Sequence, residues 1–208
     1  MAGRARISRR ERTEQTRAEL VEAARLVFLR SGFHGASLED ISLEAGYTTG
    51  AVYSRFGGKD SLFLAVLDDH NERRLRRYVE AAHAAPDFES AGREMLRAAV
   101  AAGREEPGWT PLLMEFWTHA ARREELRRAV LERHERQLDT VAELYEEIGV
   151  REGMVFRRPA REVLRVITAL ARGLGLERQL APDAGLDQVY EDYAMALTLA
   201  FVETRSTT

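Results

Sequence analysis

The sequence predicts an all-α protein of about nine helices: an N-terminal three-helix head containing a helix-turn-helix, a long connecting helix, and a larger C-terminal helical bundle. Three observations carry that expectation. Apolar residues recur three and four positions apart along nearly the whole chain, which gathers them on one face of a helix. Strict alternation of apolar and polar residues, the mark of a half-buried strand, is almost absent. Glycine and proline fall at the intervals where helices of ordinary length must end.

The first helix is expected from about Arg9 to Arg30, with Leu20, Ala23, Ala24, Val27 and Phe28 on one face and Gly32 placed to end it. A second begins at Ser37, where Ser37-Leu38-Glu39-Asp40 has the form of a capping box, and Gly46 stops it after about two turns. Thr48 or Thr49 can cap a third helix that runs to Phe56, after which Gly57 and Gly58 break the chain. A fourth starts at about Lys59 and carries Leu62, Phe63, Val66, Leu67 and His70 on one face. It presents Arg73 to Arg77 as an outer surface and reaches about Ala84. Further helices are expected over 88–103, 109–121, 124–148, 159–179 and 186–204, separated by Pro107-Gly108, Gly149 to Gly153 and Pro182 to Gly185.

Composition narrows the function classes. With 208 residues and 45% hydrophobic side chains, the chain can bury a sizeable core. No cysteine is present, which excludes disulfides, a thiol nucleophile and a thiolate zinc site. The basic N-terminus has no apolar run behind it, so a signal peptide is not expected, and no segment approaches the roughly 18 apolar residues of a membrane span. A cytoplasmic protein is the default. Glu115 and His119 stand four apart, but without the second histidine of a zinc-protease helix. There is no glycine-rich phosphate loop and no G-x-S-x-G elbow. No catalytic residue, metal or cofactor is therefore expected.

Charge is uneven. Residues 1–60 hold ten basic and eight acidic side chains, whereas the whole chain has a net charge of -3. Residues 1–8 read as a flexible basic arm. A polyanion partner at this end is one reading, and a solvated tail is the other.

Two short helices joined by a glycine turn have the form of a DNA-reading helix-turn-helix, whose second helix enters the major groove N-terminus first. Here the helices are 37–45 and 49–56, and the turn is Gly46-Tyr47-Thr48. Tyr47, Thr48, Thr49, Gly50, Tyr53, Ser54 and Arg55 are expected to point outward, with Val52 and Phe56 packed toward Ile41 and the first helix. Gly50 costs about 1 kcal/mol relative to alanine, which close backbone approach to DNA would justify. Lys59 is the only lysine in the protein. In the first turn of a helix it opposes the macrodipole by about 0.3 to 1 kcal/mol, and a phosphate at the same place would reverse that balance. A solvated surface lysine is the alternative.

The stretch EDISLEAGYTTGAVYSRFGGKDSLFLAVL closely resembles the DNA-binding signature of TetR-family transcriptional regulators, AcrR-like repressors among them. Ile41, Ala45, Gly46, Gly50, Tyr53, Phe56, Lys59 and Leu62 fall in register with that signature, and the match covers about residues 13–67. The resemblance implies that Ser37 and Thr48 bond phosphates, that Tyr53, Arg55 and Lys59 clamp phosphates around the reading helix, and that Tyr47, Thr49 and Gly50 sit where base edges are read. Thr49 stands where lysine or arginine is frequent, and Ala51 where threonine is frequent, so the main base-reading cation is missing.

The resemblance further implies a DNA-binding domain over residues 1–58 and a domain over 59–208 that binds a small effector and builds a homodimer. The residues themselves offer a mixture suited to a cavity, although plain core is the alternative for each. Trp109, Leu113, Phe116 and Trp117 lie on a helix that also carries His119. Leu96 and Val100 can face it from the preceding helix, and Gln137, Val141 and Tyr145 from the following one. Phe63, Leu67 and His70 complete the candidate set from the connecting helix. In the last two helices, Leu164, Ile167, Ala171 and Leu174, with Gly173 and Gly175, are expected to face Tyr190, Tyr193, Ala194, Leu197, Ala200 and Phe201 in a two-fold four-helix interface.

The expected function is a repressor released from a pseudopalindromic double-stranded operator by an apolar or amphipathic effector. An activator, a DNA-organising protein without ligand, and a helical small-molecule binder are the alternatives.

Overall fold

A computed structural model describes residues 8–204, and the chain divides between His70 and Asn71 into two compact units. The arm residues Arg4 and Arg6 lie outside the described residues.

In the first unit, α1 (Arg9–Gly35) opens on a capping box between Ser8 and Glu11. It continues past the expected end: Gly32, at φ 72, kinks the helix, and one further turn follows before Ala36. That turn places Phe33 in the core, where its ring lies 5.5 Å from Phe63 and 5.9 Å from Phe28. α2 (Leu38–Ala45) and α3 (Thr49–Phe56) each end on a glycine in the left-handed region, Gly46 and Gly57. α4 (Lys59–Ala84) contributes its first turns to this unit, and Leu62, Phe63 and Val66 are wholly buried with Leu20, Ala24, Val27, Phe28, Ile41 and Val52. Residues 59–70 therefore fold with the head, twelve positions beyond the boundary expected at 58.

The second unit comprises the rest of α4, then α5 (Phe88–Glu105), α6 (Trp109–Ala120), α7 (Glu124–Arg151), α8 (Ala160–Leu180) and α9 (Leu186–Ala200). Two three-residue strands were not expected. β1 (Met154–Phe156) pairs antiparallel with β2 (Val202–Thr204), aligning Phe156 with Val202. The helix expected over 186–204 thus stops at Ala200. Three residues are too few to show an alternating pattern in sequence. They are paired here because Phe156 packs on Phe88 at 5.9 Å and Arg157 N–H donates to the Phe201 carbonyl at 2.8 Å.

Among the described residues, two apolar clusters lie in the body. One gathers Tyr78, Phe88, Met95, Leu138, Tyr145 and Leu164; the other gathers Leu96, Val100, Ile167, Tyr190, Ala194 and Met195. The face expected to pair with a second copy is therefore largely used within one chain: Leu164, Ile167, Tyr190 and Ala194 are buried, with Ala171, Leu174 and Leu197 packed against them. Gly175 also serves the monomer, since a Cβ there would stand 2.9 Å from Thr110 Oγ1 on α6. The outward surface instead carries Val166, Leu180 and Gly173 on α8, and Val189 and Tyr193 on α9. Leu180 is 89% exposed and Tyr193 66%.

Candidate nucleic-acid interface and ligand cavity

Short-range bonds set the helix-turn-helix. Ser37 Oγ accepts from the Asp40 N–H at 3.0 Å and donates to Asp40 Oδ2 at 2.6 Å, fixing the start of α2. Gly46 reverses the chain, and the Tyr47 N–H donates to the Ser42 carbonyl at 2.9 Å. Thr48 Oγ1 accepts the Ala51 N–H at 3.2 Å and opens α3. Buried Ser42 meets Thr49 Oγ1 at 3.1 Å, tying the two helices together.

The expected contact residues fall into two groups. Thr48, Gly50, Tyr53, Ser54 and Arg55 are exposed along α3 and its cap. Arg55 Nη1 donates to the Thr13 carbonyl at 3.2 Å, and together with Arg17, Ala51 and Ser54 it lines an open depression between α1 and α3. Arg17 lies 5.0 Å from the centre of the Phe56 ring. Sequence reasoning passed over Arg17. Its place off the apolar face of α1 marks it as exposed, but its closeness to α3 is a tertiary fact.

The second group is engaged internally. The Tyr47 hydroxyl donates to Glu19 Oε2 at 2.5 Å, and this bond is the main reason that Glu19 stays below the usual carboxylate range. The Thr49 hydroxyl is held by Ser42. Lys59 Nζ donates to the Ala36 carbonyl at 2.9 Å and to the His34 carbonyl at 3.4 Å, and it stands 4.7 Å from the centre of the Phe33 ring. The lone lysine is thus no solvated point charge: it satisfies carbonyls at the C-terminal end of α1, where a cation suits the macrodipole. Lys59→Ala is expected to lower the stability of the head by about 1 to 3 kcal/mol by stranding those carbonyls, read as a fall in melting temperature.

The body holds a partly enclosed cavity of about 60 Å³. Its polar lining is Arg74, Tyr78, Gln137, Tyr145, Thr168 and Tyr190, and Met95, Leu96, Val141 and Leu164 form much of its apolar wall. Pockets for drug-sized ligands run to roughly 300–1,000 Å³, so this cavity is well below that range. Of the thirteen expected lining residues the cavity brings together Leu96, Gln137, Val141 and Tyr145. The other nine do not line it. Phe63, Leu67 and His70 are buried in the head. Val100 belongs to the second body cluster. Trp109, Leu113 and Phe116 are buried on α6, where His119 stacks on Phe116 at 6.1 Å. Trp117 packs edge-on to His134 at 5.5 Å.

Arg74, Tyr78 and Tyr190 were missed. Arg74 sits in the run read as an outer surface, yet its Nη2 donates to the Tyr78 hydroxyl at 2.5 Å, and Tyr78 is buried. Burial is the first cause pushing the Tyr145 and Tyr190 hydroxyls well above their usual pKa, so both stay neutral. Near this cavity Arg172 stands 4.4 Å from the centre of the Trp117 ring and 3.2 Å from His134 Nδ1. Burial, and then the charge of Arg74, lowers Arg172 to about 10.

Burial, with Arg172 second, pushes His134 down to about 4. A group whose folded pKa lies below its unfolded value of about 6.5 resists protonation in the fold, so its contribution is complete above that pH and is lost as pH falls toward 4. His134→Gln is expected to flatten the acid limb of stability, measured by denaturant melts between pH 4 and 7. Equal acid sensitivity in variant and parent would contradict this.

Comparison with known proteins bears on both halves. Residues 20–66 match the family described as bacterial regulatory proteins, tetR family. Residues 88–204 match the family described as BetI-type transcriptional repressor, C-terminal. The HTH-type transcriptional regulator TtgR of Pseudomonas putida is 40% identical over 63 residues, 30% of each protein. The chain spans about a third of the length of the curated relatives it matches. A solved transcriptional regulator of Pseudomonas aeruginosa PAO1 superposes with a TM-score of 0.71 at 25% identity, covering 94% of each chain. One from Saccharomonospora viridis, in complex with choline, shares the fold with a TM-score of 0.69 at 19% identity, covering 91% of this chain and 99% of that one. With the helix-turn-helix built as described and both halves matched, the chain belongs to the TetR family of transcriptional regulators and carries that family's DNA-binding domain at its N-terminal end.

Proposed function

We propose that the protein is a ligand-responsive repressor. Two copies present α3 to successive major grooves of a pseudopalindromic operator, roughly 34 to 36 Å apart. A small amphipathic molecule in the body cavity releases them. The observation that carries the DNA-reading part is Gly50. It is exposed, it has no left-handed backbone to require glycine, and a Cβ there would meet nothing nearer than Thr48 Oγ1 at 3.9 Å. The fold has no internal use for this glycine, whereas a duplex pressed against α3 does. Thr48, Tyr53, Arg55 and Arg17 supply phosphate contacts around it, and Ser37 offers the capped start of α2. Tyr47 and Thr49 act by shaping the turn, since their hydroxyls are held by Glu19 and Ser42.

The homodimer forms through the outward faces of α8 and α9, where Val166, Leu180, Val189 and Tyr193 are left exposed by the monomer core. α4 is the lever: it starts at Lys59, which holds the end of α1, and it carries Arg74 and Tyr78 of the cavity. A ligand that reorders that pair acts on the same helix.

Gly50→Ala tests the reading at its base. Stability is expected to hold or to rise by up to about 1 kcal/mol. Affinity for an operator fragment selected from genomic DNA by the purified protein is expected to fall by roughly tenfold or more, because the added methyl meets the duplex. Full operator affinity in a stable Gly50→Ala variant would sink the close approach.

A further inference from the structure

The cavity has an unusual balance of donors and acceptors. Arg74 makes its hydrogen bonds to the Tyr78 hydroxyl and lies over the Tyr78 ring at 5.5 Å; among the described residues it has no carboxylate partner. Arg172, close enough for the two guanidinium charges to repel, is likewise matched to an imidazole nitrogen and an indole face and, among the described residues, to no carboxylate. No Asp or Glu among the described residues lines the cavity. The carboxylates nearby are committed: Glu191, whose charge reaches Tyr190, pairs with Arg97 at 3.8 Å, and Glu135 beside His134 pairs with Arg165 at 2.8 Å. Guanidinium groups withdrawn from water are ordinarily paired with carboxylates, and here Arg74 on the cavity wall and Arg172 near it, both half-buried, leave the site with an excess of positive charge.

We propose that the effector is an organic anion: Arg74 binds its carboxylate or phosphate headgroup, Arg172 draws the charge in, and the apolar body lies against Met95, Leu96, Val141 and Leu164. The inference rests on reading this cavity as the effector site. A guanidinium holds either headgroup through parallel N–H donors, and the neutral Tyr145 and Tyr190 hydroxyls are donors that an anion can use. Arg74 already donates two of its N–H groups to Tyr78, so the anion takes the remaining donors or displaces Tyr78. In the second case the headgroup itself widens the cavity. A quaternary ammonium ligand meets the opposite situation. Three tyrosines have the makings of an aromatic cage, but Arg74 stands at the Tyr78 hydroxyl and both guanidiniums repel a second cation.

Four probes of one tail length separate the cases: octanoate, octyl phosphate, octanol and octyltrimethylammonium. Binding to the full-length protein is followed by calorimetry and by tryptophan fluorescence, to which Trp117 beside Arg172 should respond. At least one anion is expected to bind roughly tenfold or more tighter than octanol, with the ammonium weakest. The tighter of the two anions identifies the headgroup. Arg74→Gln is expected to bring that anion to within about twofold of octanol while leaving octanol binding unchanged, an outcome that a merely destabilised body would not give. Equal or tighter binding of octanol or the ammonium overturns the anion inference, as does an anion preference that survives both Arg74→Gln and Arg172→Gln. Release of operator by octanol or the ammonium keeps the ligand-responsive reading and rejects only the anion. Selective anion binding that leaves operator affinity unchanged supports the site and rejects the switch. Binding of none of the four rejects the cavity as the effector site and the inference with it.

Discussion

Operator binding by a double Arg17→Ala and Arg55→Ala variant is expected to fall by about two orders of magnitude at moderate salt. The dependence of log K on log salt should become shallower by about 1.8, since each phosphate contact contributes a slope of roughly 0.9. Both guanidiniums border the depression between α1 and α3, one from each helix, and no acidic residue among the described ones lines it. Each is held in place lightly, Arg17 on the Phe56 ring and Arg55 on the Thr13 carbonyl, so their removal should cost the head only about 1 kcal/mol apiece. Fluorescence anisotropy across a salt series, with a melting curve of the same variant, separates the effects. An unchanged salt slope would place the phosphates elsewhere. If the slope changes for Arg55→Ala alone and not for Arg17→Ala, the role of α1 is lost and that of α3 stands.

Phe63→Ala is expected to destabilise the head by about 3 to 5 kcal/mol, the range for a fully buried phenylalanine. Its ring lies edge-on to Phe28 at 5.1 Å and to Phe33 at 5.5 Å. Truncation therefore leaves a void between α1 and α4 and also removes two aromatic contacts. Phe63→Leu keeps much of the volume and should cost less. Denaturant melts give the stability. Ligand titration at a temperature where the variant remains folded should show affinity unchanged, because Phe63 belongs to the head core. A stable Phe63→Ala variant with weakened ligand binding would instead restore Phe63 to the pocket wall that the sequence suggested.

The reason Phe63 could be read either as core or as pocket wall also governs most of what the sequence could and could not reveal. Helical spacing shows that Leu62, Phe63, Val66, Leu67 and His70 share a face of α4, but periodicity carries no information about which neighbour covers that face. The same limit applies to Trp109, Leu113 and Phe116: their burial was readable, and their absence from the cavity was not. Arg74 shows the converse. In a run of arginines every member looks solvated; the bond from Arg74 to Tyr78 four residues on is local to α4, but that this pair borders a cavity with Tyr145 and Tyr190 depends on how α4 packs.

What the sequence determined by itself is local. A capping box at Ser37 and a hydroxyl cap at Thr48, left-handed glycines at Gly46 and Gly57, and three-and-four spacing of apolar residues specify the helices and the turn of the reading motif, because each depends on groups within a few residues of one another. Tertiary structure alone decided what lies far apart in the chain. It brought Lys59 to the carbonyls of His34 and Ala36, Arg17 to the side of Arg55, and Arg74 to a cavity shared with Tyr145 and Tyr190. Those pairings follow from how whole helices pack, which no local spacing encodes.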